Sequence, residues 1–75
     1  MRSDPVEAPA HYTIGEIECV DAIRTALGTP GFRSYCQGQV MKYTWRARYK
    51  NKWDEDMKKA AWYARMAAGD DPREE

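Results

Sequence analysis

Residues 29–47 read TPGFRSYCQGQVMKYTWRA, and this stretch decides the fold. Thr29 and Pro30 supply an N-cap and a first-turn proline, where a side-chain oxygen is useful and a missing N–H costs nothing. Advancing 100° per residue puts Phe32, Cys36, Val40, Tyr43 and Ala47 on one stripe, predicted to face the core. Met41 and Trp45 fall nearly opposite, so the helix has a second apolar side where water would normally meet polar residues. A third helix, a symmetry mate or a ligand would cover that side, and scattered surface apolars are the equal alternative.

Upstream, Thr13 and Glu16 have the spacing of a capping box, and Ile17, Val20, Ile23, Ala26 and Leu27 recur at helical spacing until Gly28 closes the helix. Downstream, Asn51 breaks the pattern, and Asp54, Glu55 and Asp56 place negative charge at an electropositive helix start. Met57, Ala60, Ala61, Ala64, Ala67 and Ala68 form a small-residue face suited to close helix packing, and Gly69 ends the helix. The predicted fold class is all-α, a small three-helix domain over residues 11–69 with no strand. Residues 1–10, with Pro5 and Pro9, read as an extended arm, and the acid-rich residues 70–75 as a disordered, solvated tail.

A chain of 75 residues suits one domain. Such a domain buries only about 60% of its unfolded surface, so a homo-oligomer is expected to supplement its core. The 12 basic and 12 acidic residues cancel, which argues against a polyanion binder held by net charge. Cys19 and Cys36 lack CxxC spacing and are expected to be reduced and to pack as small hydrophobes. No run approaches the roughly 18 apolar residues of a membrane span, and residues 1–10 lack signal-peptide character, so neither membrane association nor export is expected.

The segment from Lys42 to Trp53 is the richest in chemistry. Lys42, Arg46, Arg48, Lys50 and Lys52 occur there without an acid, interleaved with Tyr43, Trp45, Tyr49 and Trp53. Lys42 and Arg46, four apart, project together and could share a phosphate, with Tyr49 one turn on. A solvated face whose long stems cover neighbouring rings is the plainer alternative. The cluster could also grip single-stranded nucleic acid, but such binders spread charge along a longer groove, so a small nucleotide ranks above it. Glu18 and Asp21 have ExxD spacing and, with Glu16, could hold Mg²⁺, although surface charge explains them more simply. No P-loop, dinucleotide fingerprint, HExxH or nucleophile elbow is present. No resident cofactor is expected, and Mg²⁺ would be needed only by an enzyme.

The ordered motifs His11-Tyr12, Gly15-x-Ile17-Glu18-Cys19-x-Asp21, Lys42-Tyr43-x-Trp45-Arg46 and Asp56-x-Lys58-Lys59-Ala60-x-Trp62-Tyr63 resemble the SaV-like family of small bacteriophage proteins. The resemblance covers residues 11–66 and departs at Gly38-Gln39, where the family commonly has Gly-Asn. It implies a phage protein acting in the cytoplasm of the infected bacterium. A similar domain occurs in a phage nucleoside-monophosphate kinase, which favours a nucleotide site drawn from the matching His11, Tyr12, Glu18, Lys42, Tyr43, Arg46 and Lys59. That kinase carries further sequence, so phosphoryl transfer does not come with the resemblance.

The expectation is therefore a protein that binds a nucleotide or related phosphorylated metabolite, in nucleotide metabolism or in sequestering a host defence signal. The ligand site would comprise Lys42, Arg46, Tyr43, Tyr49, His11, Tyr12, Glu18 and Lys59. The rivals are a nucleoside-monophosphate kinase-like enzyme, a weaker Mg²⁺-dependent pyrophosphohydrolase, and an antagonist of a host protein. The antagonist, or equally a self-interface, would use Met41, Trp45, Trp53 and Trp62 as anchors.

Overall fold

The computed structural model describes residues 13–14, 17–49 and 51–74. In chain order they form β1 (Thr13–Ile14), β2 (Ile17–Glu18), α1 (Cys19–Ala47), α2 (Trp53–Ala67) and a 3-10 turn (Pro72–Glu74). The fold is mainly helical, with α1 and α2 packed on each other. Among the described residues no helix is long and apolar enough to cross a membrane.

Two helical elements are described where the sequence predicted three, and α1 joins the first two predicted helices across a kink. Gly28 sits inside α1 at φ 73° and ψ 173°, a backbone region almost restricted to glycine. The bend it makes interrupts the hydrogen-bond ladder two residues before Pro30, whose ring would otherwise meet the carbonyl of Ala26. Gly28 therefore marks the junction of two helical segments within α1, where the sequence placed the end of one helix and the start of the next.

The capping box and the absence of strands are also corrected. Thr13 pairs with Glu18 and Ile14 with Ile17 in an antiparallel ladder. The helix starts only at Cys19, with Glu18 at the N-cap and no side-chain capping bond.

The core stripe of α1 is where periodicity placed it: Phe32, Cys36 and Ala47 are buried, with Val40 and Tyr43 half-buried. Phe32 and Cys36 join Trp62 and Met66 of α2, and Val20, Ile23 and Tyr35 pack around them. The small-residue face of α2 is right only in part: Ala60 is buried and Ala67 packs on the core, but Ala61, Ala64 and Ala68 are exposed, while Asp56, Trp62 and Met66 are buried. Burying an indole and a thioether removes more apolar area from water than burying alanine methyl groups, and that difference sets the rotation of α2.

Helix α2 closes on a Schellman motif. Asp70 N–H donates to Arg65 O at 2.9 Å and Gly69 N–H to Met66 O at 3.2 Å, with Gly69 at φ 84°. Beyond it, Asp71, Pro72 and Arg73 of the predicted solvated tail are anchored instead. Pro72 is buried, and Arg73, 12% exposed, reaches Glu18 at 3.0 Å, Asp21 at 2.8 Å and Asp71 at 2.7 Å. One guanidinium thus ties the chain's end to the start of α1.

That tie is pH-sensitive. The Arg73 hydrogen bond lowers the Asp71 carboxyl from the usual 3.8 to about 2 and holds Asp21 below its usual value too. A carboxylate lowered by folding stabilises the fold above its unfolded pKa, and that contribution disappears as pH falls through the folded value. With solvent screening the Asp71 contribution is about 1–2 kcal/mol. The wild-type melting temperature should fall between about pH 5 and pH 2, and Arg73→Gln should flatten that fall. A thermal melt series across this range checks it, and equal slopes for the two proteins would refute it.

Candidate functional site

The half of α1 that follows the kink turns Tyr43 toward α2, where its ring stacks on Tyr63 with centroids 6.0 Å apart and planes 11° apart. Tyr63 in turn meets Tyr35 edge-on at 6.1 Å, and Tyr35 lies 6.2 Å from Phe32. An aromatic column therefore runs from the core to Tyr43. Gln39 donates from Nε2 to the Tyr35 hydroxyl at 3.2 Å, so its amide serves this column.

Three cations gather over the Tyr43 ring. Lys42 Nζ stands 4.6 Å from its centroid, Lys59 Nζ 5.4 Å and Arg46 Cζ 5.5 Å. Each draws on the negative face of the ring, a contact worth about 0.5–1 kcal/mol near a surface. Their mutual repulsion is offset locally by two acids. Arg46 Nε donates to Asp56 Oδ2 at 3.1 Å, and Lys59 Nζ lies 4.0 Å from Glu55.

Asp56 is the residue that sequence reasoning missed. Its side chain is wholly buried, and Oδ1 has no hydrogen-bond partner among the described residues. Its place in the first turn of α2 accounts for an acid by the helix dipole alone, yet its register sets it on the same face as Lys59, Ala60 and Tyr63, a signal that marks it as inward. By holding Nε, Asp56 fixes the plane of the Arg46 guanidinium. Among the described residues the terminal nitrogens of Arg46 carry no hydrogen bond.

The expected site residues thus divide. Lys42, Tyr43, Arg46 and Lys59 come together. Tyr49 lies apart from the Tyr43 ring, exposed and against Trp45 at 6.4 Å. Glu18 is engaged by Arg73, as is Asp21, so neither joins the cation cluster. His11 and Tyr12 lie outside the described residues, as does Lys50. Trp62, expected at an interface, is a core residue at 6% exposure, whereas Met41, Trp45 and Trp53 are exposed.

No group of three or more His, Cys, Asp or Glu among the described residues is arranged to hold a metal ion. Cys36 is buried and Cys19 exposed, both as free thiols. A cleft of about 400 Å³, bordered by Arg24, Phe32, Arg33, Met66 and Asp71, opens at the C-terminal end of α2, whereas Asp56 and Lys59 lie in its first half.

The chain is similar to the gene 1.7 protein of Enterobacteria phage T3, with 36% identity over 70 residues covering 88% of this chain and 42% of that protein. It is also similar to the nucleotide kinase gp1.7 of Escherichia phage T7, with 31% identity over 65 residues covering 81% of this chain and 33% of that protein. The chain therefore spans about a third to two-fifths of the length of these relatives. Both relatives are bacteriophage proteins, as the motifs led one to expect. No solved structure matches the chain significantly. The family that matches, over residues 6–65, is described as a protein of unknown function and designated DUF3310, so the SaV-like name stays a resemblance. By that match, which takes in most of its length, the chain belongs to the DUF3310 family.

Proposed function

We propose that the chain binds a nucleotide or related phosphorylated metabolite, with Lys42, Arg46 and Lys59 on its phosphate. The observation that carries this reading is the gathering of these cations about Tyr43. Like charges held close repel, and a dianionic phosphate relieves that repulsion while accepting charge-assisted hydrogen bonds. Asp56 supports the reading by orienting Arg46, whose planar fork suits phosphate better than an ammonium does. The nucleotide kinase name of the phage T7 relative points to the same ligand class.

Calorimetric titration of the full chain with AMP, UMP and ATP tests the site. Lys42→Ala and Lys59→Ala should each weaken binding roughly tenfold or more, the scale of one lost charge-assisted bond. The melting temperature of Lys42→Ala should stay near wild type because that side chain is exposed. Unchanged affinity for every nucleotide in both variants would end the proposal.

A second reading, a nucleoside-monophosphate kinase-like enzyme, is favoured by that relative's name alone. In it the same cations would stabilise charge on the transferred phosphoryl group, with Mg²⁺ supplied alongside ATP. Incubation with ATP, Mg²⁺ and each monophosphate decides it, since binding without turnover removes the enzyme. In either case the setting proposed is the cytoplasm of an infected bacterium, in nucleotide metabolism or in sequestering a defence nucleotide. A homo-oligomer, suggested by the small core, belongs to the same proposal, and sedimentation of the free chain measures it.

A further inference from the structure

Trp45 and Tyr49 are 76% and 72% exposed, and their rings lie 6.4 Å apart at a 40° tilt. Positions 42, 45, 46 and 49 follow i, i+3, i+4, i+7 spacing, so the two rings continue the helix surface that carries Lys42 and Arg46. Tyr49 follows α1 in a tightened turn, its N–H donating to Arg46 O at 3.0 Å. Tyr43 is unsuited to receive a further ring, since Tyr63 stacks on it and three cations lie over it.

We propose that Trp45, with Tyr49 beside it, is the stacking platform for an aromatic base, and that Lys42 and Arg46 hold the phosphate of the same ligand. This rests on the phosphate reading above and narrows it from phosphorylated metabolites in general to those bearing a nucleobase. Aromatic faces accept any base, so the platform sets the class of ligand and leaves the choice among bases open.

Charge selects this occupant over a second copy of the chain. Lys42, Arg46, Arg48 and Lys52 flank Trp45 and Tyr49 in the sequence, and no acid occurs from residue 42 to residue 52. A twofold contact across this face would set these cations against their own copies, which is unfavourable, whereas an anionic aromatic ligand meets both the charge and the rings. Any self-association then uses another surface.

The test titrates the full chain with AMP, UMP and ribose 5-phosphate, which keeps the phosphate and lacks the base. Wild type should bind the two nucleotides roughly tenfold or more tightly than the sugar phosphate, the gain expected from one stacked base. Trp45→Ala should abolish that gap with no change in melting temperature, Trp45→Phe should keep most of it, and Lys42→Ala should weaken all three ligands alike. Equal affinity of wild type for AMP, UMP and ribose 5-phosphate overturns the platform while leaving the phosphate site standing. So does a gap that survives Trp45→Ala. An oligonucleotide binding more than tenfold tighter than AMP or UMP overturns the mononucleotide in favour of a single strand. Loss of a dimer on Trp45→Ala, with ligand affinity intact, overturns it in favour of a self-interface. If none of the three ligands binds wild type, the phosphate reading falls and this inference with it.

Discussion

Replacing Trp62 by alanine is expected to cost about 3–5 kcal/mol and to leave the domain largely unfolded at 37 °C. The residue is 6% exposed and packs with Phe32, Cys36 and Met66 in a core of few large side chains. Its ring also meets Tyr63 edge-on at 4.9 Å, so the loss would reach the aromatic column beneath Tyr43. A chain of 75 residues has a total stability of about 4–11 kcal/mol, so this one truncation removes a large part of it. Trp62→Phe should be much milder. It keeps a buried ring and deletes an indole N–H that has no hydrogen-bond partner among the described residues. Urea unfolding of the two variants measures both costs. If Trp62 anchored an interface instead, Trp62→Ala would keep the wild-type midpoint and change only the oligomeric state.

How far the sequence disclosed this depended on whether the relevant interaction is periodic. Phe32, Cys36 and Ala47 could be picked out because a buried stripe repeats with the helix, and Met41 and Trp45 because they fall opposite. The cations were legible for the same reason, as Lys42 and Arg46 share a side one turn apart. Other features depend on contacts between separate elements, which periodicity does not encode. Asp56 is buried because Arg46 meets it across the α1–α2 turn. Arg73 is held by Asp21, 52 positions away, and nothing in residues 70–75 announces it. Thr13 and Glu16 fit a capping box by spacing, yet the strand pairing of Thr13 with Glu18 claims the segment first. In α2 the run of alanines marked only Ala60 and Ala67 of the inward face, because the face is chosen by the area of Trp62 and Met66.

Arg46→Ala is expected to destabilise the domain by about 2–4 kcal/mol, well beyond what loss of a surface ion pair would cost. Asp56 is fully buried, and Arg46, whose side chain is 34% exposed, is the cation that reaches it, at 3.1 Å. Removing the guanidinium strands a carboxylate away from water with neither oxygen paired among the described residues. The cost therefore comes from the orphaned acid and not from the lost attraction. It follows that Arg46→Met combined with Asp56→Leu should recover most of the stability, since an apolar pair of similar size leaves no buried charge. A double-mutant cycle in urea measures this coupling. Additive single-mutant costs would show that the pair is not the unit described here. The same cycle separates the fold from the proposed function: the double variant should fold and yet lose the phosphate binding proposed for Arg46, whose terminal nitrogens carry no hydrogen bond among the described residues.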